Sequence, residues 1–271
     1  MRNDPSLKRL IPVTALRHLY LFLRDFPKKE FHLQCATEFV RKPKPLDALI
    51  HRSFQHFSHY DNQEEAFHDR GVEGVPTEDR RESPKLADQF AVALYDQKEV
   101  KLNQGLTFAY VDYDVSPFRT TGKAAFESGI RSTKSGRGGA DLLLVNSLDG
   151  VPIVGEVKAE IDTTPLLALI QAMTYAVEFA TPNQRQRLQL AYPSRFRFST
   201  DGPWVDVYIL LVRPPDNKED RDFLALLDEL AGKLMRCDFV RTVIRRIVCL
   251  ETPFNGSEPL SFQVRFLNSI M

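Results

Sequence analysis

Residues 139–159 read GADLLLVNSLDGVPIVGEVKA, and the fold turns on how they are parsed. Two strand-like runs, Ala140 to Asn146 and Ile153 to Ala159, flank Asp149-Gly150, which predicts adjacent strands joined by a hairpin turn. Side chains alternate along a strand, so Glu156 and Lys158 share one face while Gly155, Val157 and Ala159 take the other. A Leu-rich helix is expected to pack on that second face. Asp141 opens the first strand. If it lies beside Glu156, two carboxylates converge with one ammonium, and a divalent cation best relieves their repulsion. Mg2+, with Mn2+ as its substitute, suits an all-oxygen site of this kind.

Working outward, Thr163 or Thr164 caps a helix running to about Ala180, with Pro165 in its first turn. Leu166, Leu167, Leu169, Ile170, Met173 and Val177 make it apolar almost all round. Gln171, Tyr175 and Glu178, spaced i, i+4, i+7, form a single polar stripe on it. A buried polar stripe needs something polar to face, since an unpaired buried group costs about 1–3 kcal/mol. Upstream, Ser83 and Pro84 open a helix to about Gln97, Thr107 to Val115 alternates as a strand, and Ser116 to Gly139 reads as a glycine-rich loop. Downstream, Val205 to Val212 is a strand broken only by Asp206, hence covered on both faces. A helix from about Asp220 to Arg236 and a strand from about Thr242 to Leu250 complete an α/β order.

The first eighty residues carry helical signals near Val13 to Arg24 and from Leu46 to Tyr60, the latter with Leu46, Leu49, Ile50, Phe54 and Phe57 on one face. Asp61 to Glu82 is acid-rich, holds Gly71, Gly74 and Pro76, and reads as a linker. The expected division is a mainly helical N-terminal extension over residues 1–80 and an α/β domain over 81–271.

The chain's 271 residues balance 36 Lys+Arg against 36 Asp+Glu, so any nucleic-acid surface must be local. Its 43% hydrophobic and 27% charged content excludes disordered and low-complexity classes. Apolar runs such as Phe90 to Tyr95 fall far short of the ~20 residues that span a bilayer, so no membrane association is expected. Arg17, His18 and Arg24 interrupt the first apolar stretch, which argues against a signal peptide. The odd, unpaired cysteines Cys35, Cys237 and Cys249 fit reduced thiols and a cytoplasmic setting.

Gly139-Ala140-Asp141 and Glu156-Val157-Lys158 resemble the two catalytic strands of the PD-(D/E)xK nuclease superfamily. Gln171-Ala-Met-Thr-Tyr175 resembles the Q-x-x-x-Y helix motif of its branch of helicase-associated recombination nucleases. The resemblance covers roughly Ser83 to Val212. It implies a restriction-endonuclease-like core, with a central mixed sheet flanked by helices, and a Mg2+-dependent deoxyribonuclease. By resemblance, Asp141, Glu156 and the Val157 carbonyl bind the metal, Lys158 positions or deprotonates the attacking water and stabilises phosphate charge, and Gln171 and Tyr175 orient substrate or Lys158. An acid on the first helix often joins such sites. Asp88 is the best placed here, with Glu82 in reserve, although the superfamily more often has Glu.

DNA is the expected partner, with a homodimer open as an assembly. Arg119, Lys123, Arg131, Lys134 and Arg137 stand against Glu127 in the glycine-rich loop, which ends at Asp141 and offers Arg131, Lys134 and Arg137 to phosphate. Arg185, Arg187, Arg195 and Arg197 form a second basic stretch, and Lys233, Arg236, Arg241, Arg245 and Arg246 a third. Solvated charge explains these two better than DNA does. No nucleotide cofactor is expected: Gly122-Lys123 lacks the first P-loop glycine, Pro117 standing there, and no G-x-G-x-x-G opens a helix after a strand. His51, His56, His59 and His68 lack the cysteine or H-E-x-x-H company of a zinc site. The plainer account of Asp141, Glu156 and Lys158 is an ion-pair group satisfied within the sheet, and the alternative function is a nuclease-like fold without catalysis, serving as a nucleic-acid-binding or scaffold module.

Overall fold

The computed structural model describes residues 16–60, 74–115, 139–159, 165–198, 200–212, 218–256 and 259–270. The loop with Arg131, Lys134 and Arg137, the stretch 61–73, and the caps expected at Thr163 or Thr164 lie outside them. Seven strands form one mixed sheet whose spatial order is the chain order. They are β1 (Glu99–Lys101), β2 (Thr107–Val115), β3 (Ala140–Asn146), β4 (Pro152–Ala159), β5 (Val205–Val212), β6 (Ile244–Thr252) and β7 (Gln263–Ser269). β1 to β4 make an antiparallel meander, β4, β5 and β6 run parallel, and β7 returns antiparallel. Parallel neighbours need long crossovers, and among the described residues the α-helices between consecutive strands lie on the two parallel steps. β5 is buried at every position, as its unbroken apolar run requires. At the β3–β4 hairpin Gly150 has φ +76°, a left-handed conformation that glycine adopts without steric cost.

Among the described residues the α-helices are α1 (Leu16–Asp25), α2 (Lys29–Arg41), α3 (Lys44–Tyr60), α4 (Glu78–Arg81), α5 (Leu86–Gln97), α6 (Pro165–Phe179), α7 (Pro182–Ala191), α8 (Lys218–Leu234) and α9 (Val240–Val243). Prolines punctuate them: Pro27 follows α1, Pro43 follows α2, and Pro182 opens α7 at the first helical position. The sequence did not anticipate β1, β7, α2, α4, α7 or α9: α4 lies in the stretch read as a linker, and α9 overlaps the start of the strand expected from about Thr242.

Two apolar cores sandwich the sheet. One joins α5 through Phe90, Ala91 and Leu94 to Leu142, Leu144, Val157, Tyr208 and Leu210, with Phe254 and Leu260 closing it. The other joins α6 and α8 to Leu143, Val145, Val154, Val207 and Ile209, and the N-terminal helices belong to it through Leu16, Leu19, Leu23, Cys35, Phe39, Leu46 and Ile50. Residues 16–60 therefore have no core of their own. Leu16, Leu19 and Leu23 are fully buried, each worth about 1.5–3 kcal/mol of transfer free energy.

This arrangement corrects one expectation. The Leu-rich helix α6 does not cover the face of Val157. It packs on the face of Val154, which by alternation is also the face of Glu156 and Lys158, while α5 takes the Val157 side. Both faces of β4 offer apolar residues, so alternation alone could not choose between them. Sandwiched between the sheet and α1 to α3, α6 is buried at every residue except Leu167.

Candidate functional site

The β3–β4 ladder runs from Val145 opposite Pro152 to Leu142 opposite Gly155. One step further, in the same register, Asp141 stands across from Glu156 with both side chains on the α6 face. There Asp141 Oδ2 accepts a hydrogen bond from the Val157 amide at 2.8 Å, so a side chain takes the place of a backbone acceptor. A strand residue sends its N–H and C=O to the same edge, so the Val157 carbonyl also faces this gap. Gly139 makes the start of β3 possible, since a Cβ there would lie 2.7 Å from the carbonyl carbon of Val115.

Glu156 is fully buried. Its Oε1 accepts a hydrogen bond from Lys158 Nζ at 2.5 Å, while Oε2 has no hydrogen-bond partner. Burial and then the adjacent Asp141 charge push the Glu156 carboxyl well above the usual range, against the pull of Lys158. Asp141 is also raised, by burial, with Lys158 and the Val157 amide opposing. Burial disfavours charge on Lys158, yet Glu156 and Asp141 outweigh it and hold the ammonium above its ordinary value. Two carboxyl groups in this contact favour sharing a proton or binding a cation.

α6 lays its polar stripe over this cluster. Gln171, 9% exposed, accepts from Lys158 Nζ at 3.3 Å and fixes the ammonium from the helix side. Tyr175 is buried one turn on, and its hydroxyl is raised well above the usual range by burial, with Arg17 opposing. At the far end Glu178 is buried with Arg17 Nη1 3.6 Å from Oε1, and burial lifts its carboxyl to about 7. Sequence reasoning missed α1's part in this site. Burial and then Glu156 raise the Tyr20 hydroxyl, with Lys158 and Asp141 also acting on it. The visible signal was Arg17, Tyr20 and Arg24 at i, i+3, i+7, beside the buried stripe of Leu16, Leu19 and Leu23.

The structure thus brings together Asp141, Glu156, Val157, Lys158, Gln171 and Tyr175. Asp88 does not join their contacts: it sits on α5, takes a hydrogen bond from Ser83 Oγ at 2.6 Å and pairs with Arg80 at 3.1 Å. Arg80 also binds Asp114, whose charge reaches Asp141, so Asp88 is one ion pair removed from the cluster. Glu82 is exposed. Among the described residues no group of three or more His, Cys, Asp or Glu side chains is placed to hold a metal, so a cation here would rest on two carboxylates and a carbonyl. Arg131, Lys134 and Arg137 lie outside the described residues. In the other basic stretches Arg185 stacks 4.2 Å over Trp204, and Arg245 and Arg246 pair with Asp206. His51 stacks on Phe239 at 4.3 Å. Among the described residues no helix is long and apolar enough to cross a membrane. Compared with known proteins, the chain matches no family model, no curated protein and no solved structure.

Proposed function

We propose that the protein is a divalent-cation-dependent nuclease that hydrolyses DNA phosphodiester bonds on a restriction-endonuclease-like core. The observation that carries this reading is the Glu156 carboxyl, fully buried and within hydrogen-bond reach of Asp141, so that two acids meet one lysine and Oε2 is left to a shared proton or a cation. Such an atom costs free energy unless something positive meets it. The finer fold reading is supported by the order helix, antiparallel meander, helix, parallel strand, with Asp141 and Glu156 on the two central strands.

Asp141, Glu156 and the Val157 carbonyl would hold Mg2+ or Mn2+, a donor set of oxygens alone, which leaves room for waters and substrate as Mg2+ prefers. When bound, the cation supplies Lewis acidity toward a phosphate oxygen and makes an attacking water easier to deprotonate. Lys158, kept charged by the two acids, offers its remaining N–H to the phosphate or to that water and offsets charge developing on phosphorus. Gln171 fixes the ammonium so that it does not swing away. The basic loop ending at Gly139 would bring Arg131, Lys134 and Arg137 to the DNA backbone.

A fold of this kind without chemistry, acting as a nucleic-acid-binding or scaffold module, is the second reading. It is favoured by Asp88, whose pairing with Arg80 leaves two acids in the cluster. Cleavage of linear, circular and branched DNA with Mg2+ or Mn2+ separates the two. Glu156→Ala and Lys158→Ala should each lower the rate by at least about a hundredfold, and calorimetry should lose Mg2+ binding with Glu156→Ala. Undiminished cleavage in either variant sinks the catalytic assignment, and DNA binding without cation binding transfers the conclusion to the scaffold.

A further inference from the structure

The site described so far has a floor, β3 and β4, and one side, α6, and nothing yet assigned to meet the substrate from the other side. α1 runs there. Its leucines face the core, and the neighbouring stripe carries Arg17, Tyr20 and Arg24, of which Tyr20 lies within electrostatic reach of Glu156, Lys158 and Asp141. Arg17 ties this stripe to α6 through Glu178. Tyr20 is half-buried in the field of Glu156, Lys158 and Asp141, and its hydroxyl takes no hydrogen bond from the described residues. Arg24 follows one turn on, about 6 Å along the axis, half-exposed, with its guanidinium 6.0 Å from the Tyr20 ring and a contact to its exposed neighbour Asp25 at 3.2 Å.

Resting on the reading that nucleic acid enters this site, we propose that Tyr20 and Arg24 form the phosphate-contacting wall. Tyr20 donates its hydroxyl to an oxygen of the phosphodiester at the cluster, and Arg24 engages the next phosphate along the strand. A phenol O–H is a donor, so Tyr20 can meet a phosphate oxygen directly without a second proton source. Asp25 is not a competitor of consequence, because an exposed pair between sequence neighbours is worth little beside a phosphate. On this view the N-terminal helices belong to the site, and α1 presents the same phenol and guanidinium to any substrate strand.

The test compares wild type with Tyr20→Phe, Arg24→Ala, Arg24→Lys and Lys158→Ala. Binding of a fluorescein-labelled DNA duplex in Ca2+ is followed by anisotropy across a salt titration, and single-turnover cleavage is followed in Mg2+. Arg24→Ala should reduce the slope of log affinity against log salt by about one, and Arg24→Lys should keep it. Tyr20→Phe should cleave about tenfold or more slowly with DNA affinity within about twofold, since only a donor to a charged acceptor is removed. A wild-type slope in Arg24→Ala together with wild-type cleavage in Tyr20→Phe overturns the wall, while an inactive Lys158→Ala beside them leaves the nuclease reading standing. If wild type binds DNA without cutting it, the nuclease reading falls and the Arg24 slope alone decides the wall. If wild type binds no DNA, both fall.

Discussion

Neighbouring strands β4 and β5 each bury an acid completely, Glu156 and Asp206, yet the two acids live in opposite circumstances. Asp206 receives Arg245 through Nε at 2.9 Å and Nη2 at 2.6 Å, and Arg246 lies 3.4 Å away. Asp149 also binds Arg245, so two acids meet two guanidinium groups and the charges close. Burial raises the Asp206 carboxyl, with Arg245 opposing, and both its oxygens are engaged. Around Glu156 two acids meet a single lysine, and one oxygen has no partner. The Asp206 group balances its charges, though Arg246 Nε and the Tyr208 hydroxyl beside it have no hydrogen-bond partner, and it fastens the start of β5 to β6 and to the β3–β4 turn. The Glu156 group needs one more positive charge, which a proton shared with Asp141 or a bound cation would supply, and that need sets it apart from the Asp206 group.

The largest effect expected from disturbing this contrast is on the closed group. Asp206→Ala leaves two arginines facing a buried space and should destabilise the fold by about 3–5 kcal/mol, read by urea unfolding. A milder loss than that of Glu156→Ala would mean that the two groups do not differ in kind.

Next comes Glu178, raised from 4.5 to about 7 by burial, with Arg17 opposing. The folded state holds this proton more tightly than the unfolded chain does. Its contribution is therefore full below 4.5 and is lost as pH rises through 7. Across that window Glu178→Gln should remove a decline in stability of up to roughly 3 kcal/mol, seen by subtracting its denaturation profile from that of wild type. Parallel profiles would show that Arg17 keeps Glu178 ionised throughout.

The smallest effect belongs to Glu156→Gln. It removes one of two repelling charges, so stability without added cation should hold or rise. Saturating Mg2+ should stabilise wild type by about 2.7 kcal/mol at a hundredfold excess over its Kd and leave the variant unmoved. A melting temperature that rises equally in both proteins places the cation elsewhere.

Much of this was legible before any coordinates. β3, β4 and β5 are dense in Leu, Val and Ile with a turn at Gly150, and α6 is apolar apart from its Gln171–Tyr175–Glu178 stripe, so hydrophobic period and length identify them. β7 was not, because at the sheet edge it buries only Phe266 and reads as a mostly polar segment. α7 hides for a similar reason, burying Gln184, Arg187 and Leu188 and showing no apolar stripe. The convergence of Asp141 with Glu156 followed from the hairpin register. Tyr20 did not follow, since nothing local to α1 says which face of a sheet more than a hundred residues away it will meet.

The packing of α1 to α3 on α6 also has a temporal side. Strands laid down in chain order can add one at a time as they are made, and the β1–β4 meander needs no later segment to pair. The N-terminal helices have no such convenience, because the helix they rest on begins at Pro165. At the usual ribosomal pace the leucines of α1 wait on the order of ten seconds in water for that partner. α1 is thus synthesised well before the helix that seats it.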